Sequence, residues 1–264
     1  MDEQHRQAVA QMWELGDYRL VAERLRPAAE EIAEVVGDGQ GRRALDVAAG
    51  TGSVALALAS RGWLVGAADI APALIGHGRE RTQGLGIDWY EAPLDALPFP
   101  DSSFDLMASS FGLIFAPDPH AALTEVRRCL RPGGQLVFTA WTPGGYMGQM
   151  TAVMMGFMPP GPIGAASPMD WGRPDVVADR LSPVGFTVLS SQVHAVPWEF
   201  DSAEAGAQFL FAHSPAHVAS ASMVADRAPA MIHAVQAHLA ECAGTPDGPV
   251  SLAAEYTLTL AEAT

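Results

Sequence analysis

The chain contains no lysine; all fifteen of its basic residues are arginine. That absence excludes a Schiff-base or pyridoxal-phosphate anchor, a Walker-type phosphate loop and a Tyr-x-x-x-Lys hydride-transfer set, each of which needs an ε-amino group. Basic charge is also scarce, with 15 Arg against 30 Asp and Glu for a formal net charge of −15. A chain of that sign lacks the clustered cations that nucleic-acid phosphates or an anionic membrane surface require. Neither is an expected partner. Cysteine is nearly absent: Cys129 and Cys242 stand alone, with no C-x-x-C and no metal-ligand spacing. They read as reduced thiols of a cytoplasmic protein without a disulfide framework or a metal site. The segment Met1 to Arg6 is polar, with no hydrophobic signal region, and no apolar run reaches the roughly 18 residues of a membrane span. A cytoplasmic location is the expectation.

What is present fits one domain. The 264 residues are 49% apolar, enough to bury a sizeable core. Residues 2–36 carry apolar positions at three- and four-residue spacing (Val9, Met12, Trp13, then Val21, Leu25, Ile32, Val36), which predicts helix broken near Gly16-Asp17 and at Pro27. From residue 42 to 141 strands and helices alternate. Strands are expected at Ala44–Ala48, Leu64–Asp69, Ile87–Glu91, Phe104–Ser109 and Gln135–Ala140, with helices near 52–61, 72–83 and 119–131. That alternation implies βαβ units and a parallel sheet covered on both faces. Residues 142–264 form an elaborated second half, with a methionine- and proline-rich stretch, a strand near Phe186–His194, helices near 202–220 and 223–242, and a closing strand near Val250–Leu260.

The informative segment is Ala44-Leu45-Asp46-Val47-Ala48-Ala49-Gly50-Thr51-Gly52-Ser53. A strand runs into a turn of small residues, so the backbone can approach a ligand at the N-terminus of the next helix. Gly50, Gly52 and Ala55 satisfy G-x-G-x-x-G/A, and Asp69 follows Gly50 by 19 residues, close to the ribose-binding acid of NAD sites. An NAD-dependent oxidoreductase is therefore one reading. Asp46 is unusual for it, because dinucleotide-binding strands are normally apolar at that place. Two further signals follow in order: Leu97-Pro98-Phe99-Pro100-Asp101 to Asp105 before the fourth strand, and Arg127-Arg128-Cys129-Leu130-Arg131-Pro132-Gly133-Gly134 before the fifth.

Taken together, these elements resemble the class I S-adenosylmethionine-dependent methyltransferases, in the group similar to the ubiquinone/menaquinone-biosynthesis methyltransferases. The resemblance spans roughly residues 10–141. It extends to bacterial small-molecule methyltransferases with a Trp-x-x-Gly-Asp-Tyr start, here Trp13 to Tyr18. It implies a Rossmann-like, seven-stranded, mostly parallel sheet with an antiparallel last strand, and S-adenosylmethionine as cofactor. It implies that Ala48 to Gly50 passes beside the methionine part and that Asp69 accepts the ribose hydroxyls. Ile70 would pack on the adenine, Ser110-Phe111 would face the methyl donor, and Tyr18 would close over the methionine carboxylate. The family usually reads Gly-Asp-Ala-Glu before the Leu-Pro-Phe triplet; here Pro93 stands in the Asp slot. That leaves the Leu94 N–H and Asp95 to meet the adenine.

Methyl transfer from a sulfonium is an in-line displacement in which alignment alone supplies roughly 7–11 kcal/mol. A general base is needed only where the acceptor loses a proton, and no residue is assigned to that role from the sequence. His120 reads as a helix-end residue. His213 and His217 lie four apart, with Ser214-Pro215 expected to break their helix, and read as surface or core histidines. Met147, Met150, Met154, Met155 and Met158 are helically spaced, which suits core filler or an adaptable apolar wall for an aromatic acceptor. With Met169, the helices of residues 1–36 and those of 202–242, they are expected to cover the strand ends. The partner is then a small molecule. A methyltransferase-like protein that binds without catalysis is the other alternative.

Overall fold

Short apolar runs of the first half become parallel strands because both faces of the sheet are covered. These are β1 (Arg43–Val47), β2 (Leu64–Asp69), β3 (Asp88–Glu91), β4 (Phe104–Ser110) and β5 (Leu130–Trp141). The second half adds two long strands, β6 (Phe186–Phe200) and β7 (Val250–Ala263). The computed structural model describes residues 3–159, 166–245 and 248–264. The strand order is β3-β2-β1-β4-β5-β7-β6, and β7 runs antiparallel to both of its neighbours. A Rossmann-like sheet of seven mostly parallel strands is thus the observed architecture.

Helices α1 (Glu3–Trp13), α2 (Tyr18–Val36), α3 (Ser53–Ser60), α4 (Pro72–Arg81) and α5 (Pro119–Cys129) belong to the first half. Helices α6 (Tyr146–Met155), α7 (Pro174–Leu181), α8 (Ala203–His213), α9 (Pro215–Met223) and α10 (Ala228–Ala243) belong to the second. Two of their starts are legible in chemistry: the Asp118 carboxylate accepts the Ala121 N–H at 3.0 Å and the Ser202 hydroxyl accepts the Ala205 N–H at 3.1 Å. No described helix is long and apolar enough to cross a membrane.

Three sequence expectations need correction. Pro27 does not break α2, which runs uninterrupted with Val21, Leu25, Ala28, Ala29, Ile32 and Ala33 buried along one face. Burying that stripe against α3, β4 and β6 outweighs the roughly 3 kcal/mol that a helix-interior proline costs. Helix α5 stops at Cys129 and β5 begins there, because Pro132 forces Arg131 into extended backbone and Leu130 already pairs with Phe104. Strand β6 continues six residues past His194, paired with β7 through Phe200. The helix expected over 202–220 is two, α8 and α9, with Ser214 extended between them (φ −85°, ψ 116°), as the Ser-Pro break anticipated. Pro160 and Pro162 of the proline-rich stretch lie outside the described residues.

The core is continuous from sheet to helices. Trp171, Trp198, Phe104 and Phe138 are its largest fully buried side chains. An indole edge meets the Phe138 ring at 5.5 Å. Arg24 on α2 lies 4.5 Å from the Phe200 and Phe209 ring centres and donates to the Glu199 carbonyl at 3.0 Å. This cation–π contact pins the N-terminal helices to β6 and α8.

Candidate active site

In an open α/β sheet the crevice lies where neighbouring strands send their connections to opposite sides. Here that point is between β1 and β4, and both strands end in strained residues. Ala48 has φ +50° and Phe111 φ +58°, the left-handed region that side chains rarely adopt and that concentrates at functional sites. The two turns interlock: a Cβ on Gly112 would stand 2.5 Å from the Ala48 Cβ. Gly50 has φ +56°, and a Cβ there would stand 3.0 Å from Cε1 of Tyr18. Glycine leaves the space between turn and tyrosine open.

Two buried carboxylates build this turn from below. Asp46, 1% exposed in β1, accepts the Ala55 N–H at 2.9 Å through Oδ2, satisfying a free donor in the first turn of α3. Its Oδ1 has no hydrogen-bond partner. Asp69, the last residue of β2, accepts the Gly50 N–H at 2.7 Å through Oδ2 and the Ala71 N–H at 2.9 Å through Oδ1. Burial pushes both carboxyls above their ordinary range, and the charge of Asp69 raises Asp46 further. The same burial and both carboxylates push the Tyr18 phenol up, so it stays a neutral O–H donor. The arrangement is a buried, acidic floor under a glycine turn. It suits a cation.

Above the floor opens a cavity of about 610 Å³, within the size range of small-molecule sites. Tyr18, Ala48, Gly50, Asp69, Ile70, Leu94 and Asp95 all line it. Ser110 lines instead a small cavity of about 20 Å³ beneath the turn, with Asp46, Thr51 and Ser53, while its neighbour Phe111 reaches the large one. Asp95 faces Arg6 of α1 at 3.8 Å, so its carboxylate is engaged with the N-terminal helix. Both Asp69 oxygens already hold backbone amides, and each keeps a second lone pair for a ligand donor.

The far side of the cavity is apolar. Phe111 stacks on Trp141 at 4.0 Å, and Trp13 meets Phe115 edge-on at 4.9 Å. All six methionines between Met147 and Met169 line it. Met147, Met150 and Met154 are also buried, so core filler and cavity wall are here the same residues. Trp13, Met150 and Leu210 bring all three covering segments to this wall. His120 is exposed at the start of α5. His217, read from the sequence as a surface or core histidine, is buried and lines the cavity; Trp141 and Trp198, which also line it, were not named as site residues. The sequence signals of His217 were its four-residue spacing from His213 and a position just after a Ser-Pro break.

Residues 45–138 match the family model described as a methyltransferase domain. That span is a methyltransferase domain, on the fold of the class I methyltransferases. An uncharacterised Mycobacterium tuberculosis protein is 39% identical over 173 residues, which cover 64% of this chain and 63% of that protein. The match thus spans less than two thirds of the length of that curated relative. The ubiquinone/menaquinone biosynthesis C-methyltransferase of Xanthomonas axonopodis is 45% identical over 102 residues, covering 36% of this chain and 40% of that enzyme. Among solved structures, the Bacillus subtilis YcgJ protein superposes with a TM-score of 0.61 at 16% identity, covering 89% of this chain and 97% of that one. At that identity the likeness is one of fold.

For a methyltransferase domain of this class the implied cofactor is S-adenosylmethionine, and the residues fit it. The cofactor carries a sulfonium and an ammonium, and the turn rests on two buried carboxylates, one with an unpartnered oxygen. A dinucleotide diphosphate would bring two negative charges toward Asp46, an acid at a place where dinucleotide-binding strands are normally apolar.

Proposed function

We propose that the chain is an S-adenosylmethionine-dependent methyltransferase acting on a small apolar or aromatic metabolite, with residues 1–264 working as one catalytic unit in the cytoplasm. The observation that carries this reading is the acidic floor, in which Asp46 Oδ1 lies buried and unpartnered beneath the Gly50 turn. The cofactor supplies a methyl group on a positively charged sulfur, which leaves with its electron pair in an in-line displacement.

The chain's own part is binding and alignment. Asp46 Oδ1 and the Tyr18 O–H would hold the methionine ammonium and carboxylate. The Asp69 lone pairs would take the ribose hydroxyls, with Ile70 and the Leu94 N–H at the adenine. Asp95 would meet the adenine only by sharing its carboxylate with Arg6, which ties adenine binding to the position of α1. The methionines and the Phe111–Trp141 stack would receive the acceptor. Support for a small apolar acceptor is the wall's composition, and the net charge of −15 disfavours nucleic acid. The covering helices exclude water during transfer.

A thermal-shift comparison of S-adenosylmethionine, S-adenosylhomocysteine and NAD tests the reading. A ligand at 100 times its Kd stabilises by about 2.7 kcal/mol. Stabilisation by the first two alone is expected. Stabilisation by NAD alone would overturn the proposal.

A further inference from the structure

Binding and alignment leave one buried titratable group of the cavity wall unused. His217 lies in the first turn of α9, is 7% exposed, and is one of the residues lining the large cavity. Its Nδ1 is 2.8 Å from the Ser214 hydroxyl, and its Nε2 has no hydrogen-bond partner. Buried polar atoms are nearly always paired, so an orphan on a residue of the cavity wall points to a group the ligand brings. The Ser214-Pro215 break sets the ring in place. Ser214 caps the turn, its carbonyl accepts the His217 N–H at 3.0 Å, and Phe211 packs edge-on to the imidazole at 5.4 Å.

Burial drives the imidazole pKa down to about 4, and the helix N-terminus also disfavours a cation there. The ring is therefore neutral at pH 7. In the tautomer whose Nδ1–H donates to Ser214 Oγ, the lone pair falls on Nε2. Trp198 Nε1 is a second unpartnered atom among the lining residues, but an indole N–H only donates.

We propose that His217 Nε2 takes the proton from a hydroxyl group of the acceptor, which makes the acceptor an aromatic alcohol and the reaction an O-methylation. This rests on the methyltransferase reading above. The hydroxyl oxygen bonds to the methyl carbon as the carbon–sulfur bond breaks, its electron pair staying on sulfur. The hydroxyl proton ends on Nε2 and passes to water on product release. One positive charge disappears from sulfur as one appears on the imidazole. The cavity's net charge is unchanged, so a site that disfavours imidazolium in isolation can form it at that moment. The Phe111–Trp141 stack and the methionine wall suit a flat aromatic ring.

The test uses the full chain saturated with S-adenosylhomocysteine and titrated calorimetrically with 2-naphthol, 2-methoxynaphthalene and naphthalene. The native protein should bind 2-naphthol about five- to tenfold tighter than the other two, the worth of one neutral hydrogen bond. His217→Phe should erase that advantage while its S-adenosylhomocysteine Kd is unchanged. Formation of 2-methoxynaphthalene from 2-naphthol should fall roughly 10²- to 10⁴-fold. If His217→Phe does not fold by circular dichroism, His217→Gln decides. Its amide accepts a hydrogen bond but takes no proton, so the binding advantage should survive and turnover should not. Equal affinity for all three ligands, binding of none, an advantage that persists in His217→Phe, or an ether bound as tightly as the alcohol each overturns the proposal. Failure to bind S-adenosylhomocysteine at all would overturn the methyltransferase reading instead.

Discussion

Asp46→Asn separates cofactor binding from folding. In the native protein Oδ2 holds the Ala55 N–H at 2.9 Å while Oδ1 is buried without a partner. Burial raises this carboxyl well above its ordinary 3.8, with the nearby Asp69 charge adding to it. A raised folded-state pKa means that the stabilising contribution is present below 3.8 and lost as pH climbs through the folded value. At pH 7 burial of this carboxyl therefore weakens the ligand-free protein. The asparagine carbonyl keeps the bond to Ala55, and a neutral amide costs less to bury than a charged oxygen. Urea unfolding should show Asp46→Asn more stable than the native protein at pH 7, with the difference closing as pH falls toward 3.8. Affinity should move the other way. Losing one hydrogen bond between charged groups costs about 1.5–3 kcal/mol, or ten- to over a hundredfold in the Kd for S-adenosylhomocysteine by calorimetry. An unchanged Kd would refute the assignment of Oδ1 to the ammonium. A loss of stability at pH 7 would show that the carboxylate acts as a strut and not as a binding group held at a cost.

Asp69→Ala should lower both properties together, since it frees the buried Gly50 and Ala71 amides at about 1–3 kcal/mol each and removes the ribose acceptor; weaker binding with unchanged unfolding would exclude its structural role. Gly50→Val should abolish S-adenosylhomocysteine binding with circular dichroism largely intact, because the added side chain meets the Tyr18 ring at 3.0 Å from a φ of +56°. Retained binding would return the turn to a purely structural part. Hydrogen exchange should show protection rising in residues 10–25 as well as at the turn when S-adenosylhomocysteine binds. A response confined to the turn would strike Tyr18 from the site.

The proposed cofactor half of the cavity was legible because backbone demands write themselves into sequence at short range. Strand β2 was predicted over its observed span, Leu64–Asp69, and the turn after β1 could be read from Ala48, Gly50 and Gly52, all of which have positive φ. An acid at the end of a strand and one before a glycine turn stand at separations set by one βα unit. Boundaries failed where tertiary contacts override local preference. Pro27 is carried inside α2 by its buried stripe, and β5 starts early because Leu130 pairs with Phe104 across the sheet.

The acceptor half has no such short-range signature. Its wall draws on Trp13, Trp141, Met150, Trp198 and His217, residues brought together only when α1, α6, β6 and α9 pack over the strand ends. Apolar side chains at helical spacing look alike whether they fill a core or face a ligand, and here Met150 is 1% exposed and does both. His217 shows the same limit for a polar residue. In sequence it is one of eight histidines, and what distinguishes it, a buried ring with Nδ1 held by Ser214 and Nε2 left bare, depends on the helix break at Pro215 and on the packing of Phe211. Cofactor identity is therefore encoded by turns and strand ends, while acceptor chemistry is encoded by how distant segments cover them. Chains that share the turn are free to differ in what they methylate.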